Sequence, residues 1–248
     1  MKFGLRVALP LALTAIFVAA TPLGARPLVA SQSSLAGTLA EAATTSPSVV
    51  TSSPAPCSDT KYNLIGPKWK STLKWSYKSS TTPAGLTTSA VVQVLKRAFN
   101  NITTENNDCG RPDRVSATSS YLGTTSNGLG VTKAGACGSS DGHNTVGFGA
   151  LPAGYLALTC VRSLGTSITE IDIRLATAGQ WALSFAGCFN EYMLEAVATH
   201  EVGHAYGMDH VGEANHGRLT MSVFIDGTCE NQESTLGLGD MKGLEALY

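Results

Sequence analysis

The sequence predicts an α+β domain in which one sheet packs on helices. Two segments carry the period of a half-buried strand: Leu73, Trp75 and Tyr77 alternate with polar residues, and Ile171, Ile173 and Leu175 alternate with Asp172 and Arg174. A third, 155–161, reads as a continuous apolar strand. Two helical segments follow these strands late in the chain, the order expected when strands and helices segregate around one core.

From the start, Lys2 and Arg6 form a basic head, 7–20 is an uncharged apolar run, and small residues follow. Residues 1–30 therefore read as an export signal cut between Ala20 and Ala30, because the run falls short of the roughly 20 apolar residues a comfortable membrane span needs. The alternative is an uncleaved anchor. Residues 31–56 are dominated by Ser, Thr, Ala and Pro, with Glu41 the only charge. Such a stretch buries too little apolar area to offset its ordering entropy, so it reads as a linker or propeptide. The folded domain is expected over 57–248. After the first strand, Val91, Leu95, Ala98 and Phe99 line one side of a helix over 89–101. The Gly, Ser, Thr and Asn-rich region 103–144 mixes short strands with loops. A helix is expected over 191–206 and a final one over 240–247, with Asp240 capping its first turn.

Apolar residues make up 43% of the 248 residues and charged residues 14%, enough core for one filled domain. The formal net charge of -1 and the scattered Lys and Arg give no basis for binding nucleic acid. No segment after the signal spans a membrane, so the mature protein is expected to be soluble, extracellular and monomeric. The six cysteines (Cys57, Cys109, Cys137, Cys160, Cys188 and Cys229) form no CxxC pair. In an oxidising compartment they favour three disulfides, among roughly 15 possible pairings.

The chemistry concentrates in His200-Glu201-Val202-Gly203-His204-Ala205-Tyr206-Gly207-Met208-Asp209-His210. Residues four apart share a helix face, so His200 and His204 can offer nitrogens to one ion. Glu201 lies one step around, suited to reach a water on that ion and act as base. Gly207 can take the left-handed conformation that ends a helix, after which His210 can return as third ligand. Three neutral nitrogens and one open position describe one catalytic Zn2+ rather than a closed structural site. A surface or core role for the histidines is the bland reading, yet three of the five His in the chain fill the three slots of the pattern.

Those eleven residues resemble the extended zinc motif of the metzincin endopeptidases, and within them the matrixin (matrix-metalloproteinase-like) branch in a bacterial-style secreted form. Leu219-Thr220-Met221-Ser222 is similar to the methionine turn beneath the zinc, with Met221 in place. Ile168-Thr169-Glu170-Ile171-Asp172-Ile173 with Trp181, the lead-in Leu194-Glu195-Ala196-Val197-Ala198-Thr199, and Leu238-Gly239-Asp240-Met241-Lys242-Gly243-Leu244 are similar to matrixin segments. The resemblance implies a metzincin-like fold: a twisted mixed sheet packed on an N-terminal helix and the active-site helix, with a short C-terminal helix. It also implies peptide-bond hydrolysis of a peptide or protein substrate lying extended across a shallow cleft. Residues 155–161 would be the edge that pairs with substrate backbone, although a mid-sheet strand explains them equally well, and 223–226 would wall the pocket after the scissile bond.

Some features depart from the branch. Cys109-Gly110-Arg111-Pro112-Asp113 is similar to a latency motif but lies inside the domain, so a disulfide loop is expected. Calcium remains possible without support from the sequence: Asp141-Gly142-His143-Asn144 reads as a polar turn, and His216 as solvent-facing. Cys188 and Cys229 flank the zinc helix and the methionine turn, and a bridge between them is the one pairing assigned. Two rival functions stand beside the endopeptidase: a zinc amidase acting on cell-wall peptides, and a secreted zinc-binding module without turnover. Retention of Glu201 disfavours the second, because three histidines alone would hold metal.

Overall fold

The computed structural model describes residues 12–19, 29–32, 54–225 and 227–248, the first two stretches by backbone alone. The elements in chain order are β1 (Ala12–Ala19), β2 (Val29–Gln32), β3 (Asn63–Leu64), β4 (Leu73–Tyr77), α1 (Thr88–Thr103), β5 (Ser119–Thr124), β6 (Thr145–Gly149), β7 (Tyr155–Leu164), β8 (Ser167–Ala176), β9 (Trp181–Ala182), β10 (Tyr192–Met193), α2 (Leu194–Ala205), β11 (Met208–Asp209), α3 (Glu213–His216) and α4 (Leu238–Leu247).

The main sheet runs β2-β1-β7-β8-β6-β4-β5. It is mixed: β7 and β8 are antiparallel, whereas β8, β6, β4 and β5 pair in parallel. β7 is the outer strand of the part of the sheet that follows Cys57, and β1 lies antiparallel on its other side with Ala12 opposite Ser163. In the described structure 155–161 is therefore a mid-sheet strand, paired with β1 on one side and β8 on the other, and not an edge. An outer strand exposes a row of backbone donors and acceptors, the template on which a further strand adds. β2 extends into the stretch expected to be an unstructured linker, pairing Gln32 with Ala15. The rest of the expected signal and linker, apart from residues 54–56, lies outside the described residues.

Helices cover one face. Thr87 caps α1 by accepting the N–H of Ala90 on its hydroxyl at 3.3 Å. Val91, Leu95, Ala98, Phe99 and Ile102 then face the sheet, and Phe99 stacks on Trp75 of β4 with centroids 4.2 Å apart. Buried Asn101 joins α1 to its neighbours, donating from Nδ2 to Thr199 Oγ1 (3.2 Å) in α2 and to Ser234 O (2.8 Å). α2 starts later than its sequence suggests, because Tyr192 and Met193 first pair in parallel with Trp181 and Ala182. α4 starts earlier. Gly237 is its N-cap, so Asp240 sits one turn in, and its carboxylate reaches back to the Gly237 N–H at 2.9 Å. No helix among the described residues is long and apolar enough to cross a membrane.

The other face of the sheet holds a buried charge cluster under the 128–144 loop. Arg162, 1% exposed, donates from Nη1 to Glu170 Oε1 (2.7 Å) and Asp172 Oδ2 (3.1 Å), and from Nη2 to Gly138 O (2.6 Å). Glu170 also accepts from Ser140 Oγ and the Gly142 N–H, so the Asp141-to-Asn144 turn hangs on it. Burial pushes the Asp172 carboxyl up to about 7; the Gly130 N–H and Arg162 oppose that shift and Glu170 adds to it. The bridges are Cys57–Cys109, Cys137–Cys160 and Cys188–Cys229. The assigned pair is formed, and Cys109 is a disulfide partner rather than a latency thiol.

Replacing Arg162 with Ala should cost about 3–5 kcal/mol, because it strands two buried carboxylates without their cation. Urea unfolding at neutral pH measures this, and a loss below about 1 kcal/mol would show that water reaches the cluster.

Candidate metal centre

Of the twelve residues of α2, eleven are buried, Glu195 being the exception. A helix enclosed this completely has no solvated face for polar residues, so His200, Glu201 and His204 need partners inside the protein. The carbonyls at the end of α2 are met by aromatic side chains: Trp69 Nε1 donates to Ala205 O at 2.8 Å and Tyr248 Oη to Tyr206 O at 3.0 Å. Gly207 then turns the chain with φ +93°, and a Cβ there would strike the Pro67 carbonyl oxygen. After that turn His210 comes back to the helix.

The three Nε2 atoms converge. They lie 3.0 Å apart for His200 and His204, 2.9 Å for His204 and His210, and 3.1 Å for His200 and His210. Nδ1 of His200 is 2.7 Å from Thr220 O and Nδ1 of His204 is 3.0 Å from Met208 O. A carbonyl only accepts, so both Nδ1 atoms carry the proton and both Nε2 atoms present bare lone pairs. Two lone pairs 3.0 Å apart repel unless a cation lies against both. All three imidazoles are held neutral. Burial lowers His200 well below its ordinary value, with His204 nearby adding to the effect; burial lowers His204 to about 4; burial and then the other two rings lower His210. Neutral, desolvated, convergent nitrogens fit a borderline-soft dication. Among the described residues no other trio of His, Cys, Asp or Glu gathers in this way.

Glu201 is fully buried. Its Oε2 accepts a hydrogen bond from Thr159 Oγ1 at 2.5 Å, while Oε1 has no hydrogen-bond partner among the described residues. Burial pushes its carboxyl up to about 8, against the pull of the Thr159 hydroxyl; beside a dication the same group ionises more readily. Thr159 stands on the helix-facing side of β7, opposite Ile173. Sequence reading passed over it, although a threonine within an otherwise apolar strand is a sign of a buried polar partner.

Met221 is 1% exposed beneath α2, where a Cβ on Gly203 would collide with its sulfur. Asp240 caps the first turn of α4 as expected, and the same carboxylate also holds the methionine turn, accepting the N–H of Thr220 at 2.9 Å and of Met221 at 3.1 Å. Burial raises its carboxyl to about 6, against those N–H donors and that of Gly237. Asp240 thereby positions Thr220 O, the brace of His200. His216, expected to face solvent, is 25% exposed and also has a partner: its Nδ1 lies 2.8 Å from Oδ2 of buried Asp59. His143 belongs to a polar turn, its N–H donating to Asp141 Oδ1 at 2.9 Å. Of the expected pocket wall, Ile225 is a core residue and Asp226 lies outside the described residues.

The raised Glu201 carboxyl makes a testable demand on the metal-free protein. A carboxyl lifted from 4.5 to about 8 on folding adds stability in full below pH 4.5 and loses it as the pH rises through 8. Metal-free Glu201→Gln should therefore match the parent near pH 4.5 and exceed it by a few kcal/mol near pH 9. Urea midpoints of the two proteins across that range decide it, and a constant difference would place Glu201 in contact with solvent.

Residues 152–248 match the family model for Matrixin. No curated protein matches the chain. The match supports a metzincin or matrixin-type domain, a family of zinc-using metallopeptidases, over the span from β7 to α4 that contains the three convergent histidines, Glu201 and Met221.

Proposed function

We propose that this protein is a secreted, monomeric zinc-dependent endopeptidase in which His200, His204 and His210 hold the metal and Glu201 is the catalytic base. The observation that carries the reading is the set of three Nε2 atoms within 3.1 Å of one another, two of them with bare lone pairs, on the helix that also buries Glu201. The Matrixin match over the same span supports it independently. Six cysteines, all paired, favour an oxidising compartment and therefore export.

Zinc, when bound, supplies Lewis acidity that polarises the scissile carbonyl and makes water acidic enough to lose a proton near neutral pH. The chain does the rest. Glu201 takes the proton of the attacking water at Oε1, the oxygen without a partner, and returns it to the leaving amine. Thr159 fixes Oε2, so the carboxyl stays in one rotamer while Oε1 works. Met221 and Gly203 pack together under the ligand-bearing turn and limit its movement. β7, once cleavage at the export signal frees it of β1, offers its outer row of N–H and C=O groups to an extended peptide. No covalent intermediate with the protein is required.

Two measurements test this function. Casein should be cleaved by the purified protein, and Glu201→Ala should abolish cleavage while zinc content is retained. Proteolysis that survives this change would remove Glu201 from its role, and turnover of wall-peptide amides without casein cleavage would favour the amidase. Thr159→Val should lower kcat on the order of tenfold with unaltered zinc content and nearly unaltered KM, whereas Thr159→Ser keeps most of the rate. Equal rates for Val and Ser would make Thr159 a packing residue.

A further inference from the structure

We propose that Asn63 is a positioning residue for His210, so that the N-terminal strand β3 is a built part of the metal centre; the inference rests on the zinc reading above. The three histidines are not held alike. His200 and His204 sit on a buried helix and each ring is fixed through Nδ1 by a carbonyl, Thr220 O and Met208 O. His210 lies beyond the helix, is only partly buried, and among the described residues has no carbonyl bracing its ring. Its position must come from its backbone.

That backbone is gripped from the far end of the chain. Asn63 Nδ2 donates to His210 O at 2.6 Å across 147 residues of sequence. β3 pairs antiparallel with β11, Asn63 opposite Asp209 and Leu64 opposite Met208, and Ile65 N donates to Gly207 O at 2.8 Å. On the opposite side the Val211 N–H donates to Met221 O at 2.9 Å. His210 is thus clamped between β3 and the methionine turn, and its own N–H is met by Asp209 Oδ1 at 2.8 Å. The grip needs an amide donor. A carboxylate of the same shape would set an acceptor against an acceptor. Partners that orient metal ligands typically contribute 10–100-fold in metal affinity, and here the partner acts through a main-chain carbonyl.

The test compares the full mature protein with Asn63→Ala, Asn63→Asp and His210→Ala in zinc competition against a chelator, together with visible absorption of the cobalt(II)-substituted forms. Both Asn63 variants should bind zinc about 10–100-fold more weakly, with a shifted cobalt spectrum and a cooperative unfolding transition in chelator. His210→Ala should bind more weakly still. Zinc affinity within twofold of the parent and an unchanged cobalt spectrum in the Asn63 variants would overturn the proposal while leaving the zinc reading in place. Unchanged zinc affinity in His210→Ala would sink the zinc reading itself. Should Asn63→Ala fail to fold, the near-isosteric Asn63→Asp, which keeps the β3–β11 backbone pairing, decides the matter alone.

Discussion

Bare nitrogen lone pairs held about 3 Å apart in a dry interior repel one another, and much of this structure reads as the means of enforcing that contact. In water the two imidazoles would turn away or share a proton. Neither escape is open here. Thr220 O and Met208 O keep the protons on the outer nitrogens, and burial disfavours adding a second proton to either ring. The cost is met by the surrounding fold, through a helix buried on nearly every side, a glycine turn no other residue would take without strain, and a methionine packed where a side chain on Gly203 would have stood. A cation removes the repulsion, so metal binding and folding draw on the same free energy.

The same logic governs the opposite face of the sheet, where the protein supplies the cation itself. There two buried carboxylates, Glu170 and Asp172, would repel each other, and the guanidinium of Arg162 lies against both. The strand alternation explains how one β-ladder serves both tasks: Thr159 and Val161 face the helices, whereas Cys160 and Arg162 face the 128–144 loop. A one-residue slip of β7 would put Arg162 against α2 and remove Thr159 from Glu201. The charge cluster and the Cys137–Cys160 bridge therefore fix the register that sets Thr159 against Glu201.

What could be read from the sequence is what has a local period or a fixed short spacing. The alternations at Leu73–Tyr77 and around Ile171, the apolar side of α1, and the histidine pattern all repeat within a turn or a pleat, and their elements lie where expected. The pairing of Cys188 with Cys229 was legible because both residues flank the motif. The misses share a cause. Asp240 is the cap its sequence suggests, but the further use of its carboxylate by Thr220 and Met221, twenty and nineteen residues away, was not legible. His216 meets Asp59 across 157 residues, and Thr159 meets Glu201 across 42. No local pattern encodes such pairs. Their trace is a polar residue placed where the neighbours are apolar, which says that a partner exists without naming it. The late start of α2 has the same origin, since Tyr192 and Met193 are claimed by β9 before the helix can begin.

The motif-bearing segment supplies the three histidines but does not by itself place them. Residues 152–248 carry the family resemblance, yet the turn at Gly207 is shaped against Pro67, the last carbonyls of α2 are closed by Trp69 as well as by Tyr248, and Asn101 ties α2 to α1. The contacts of Pro67, Trp69 and Asn101 reach back to residues before 102. A metal centre of this kind works by holding its ligands to within a fraction of an ångström, and such precision comes from rigid supporting contacts more than from the ligands themselves. Residues near the start of the domain, which carry none of the chemistry, are therefore under the same geometric demand as the histidines.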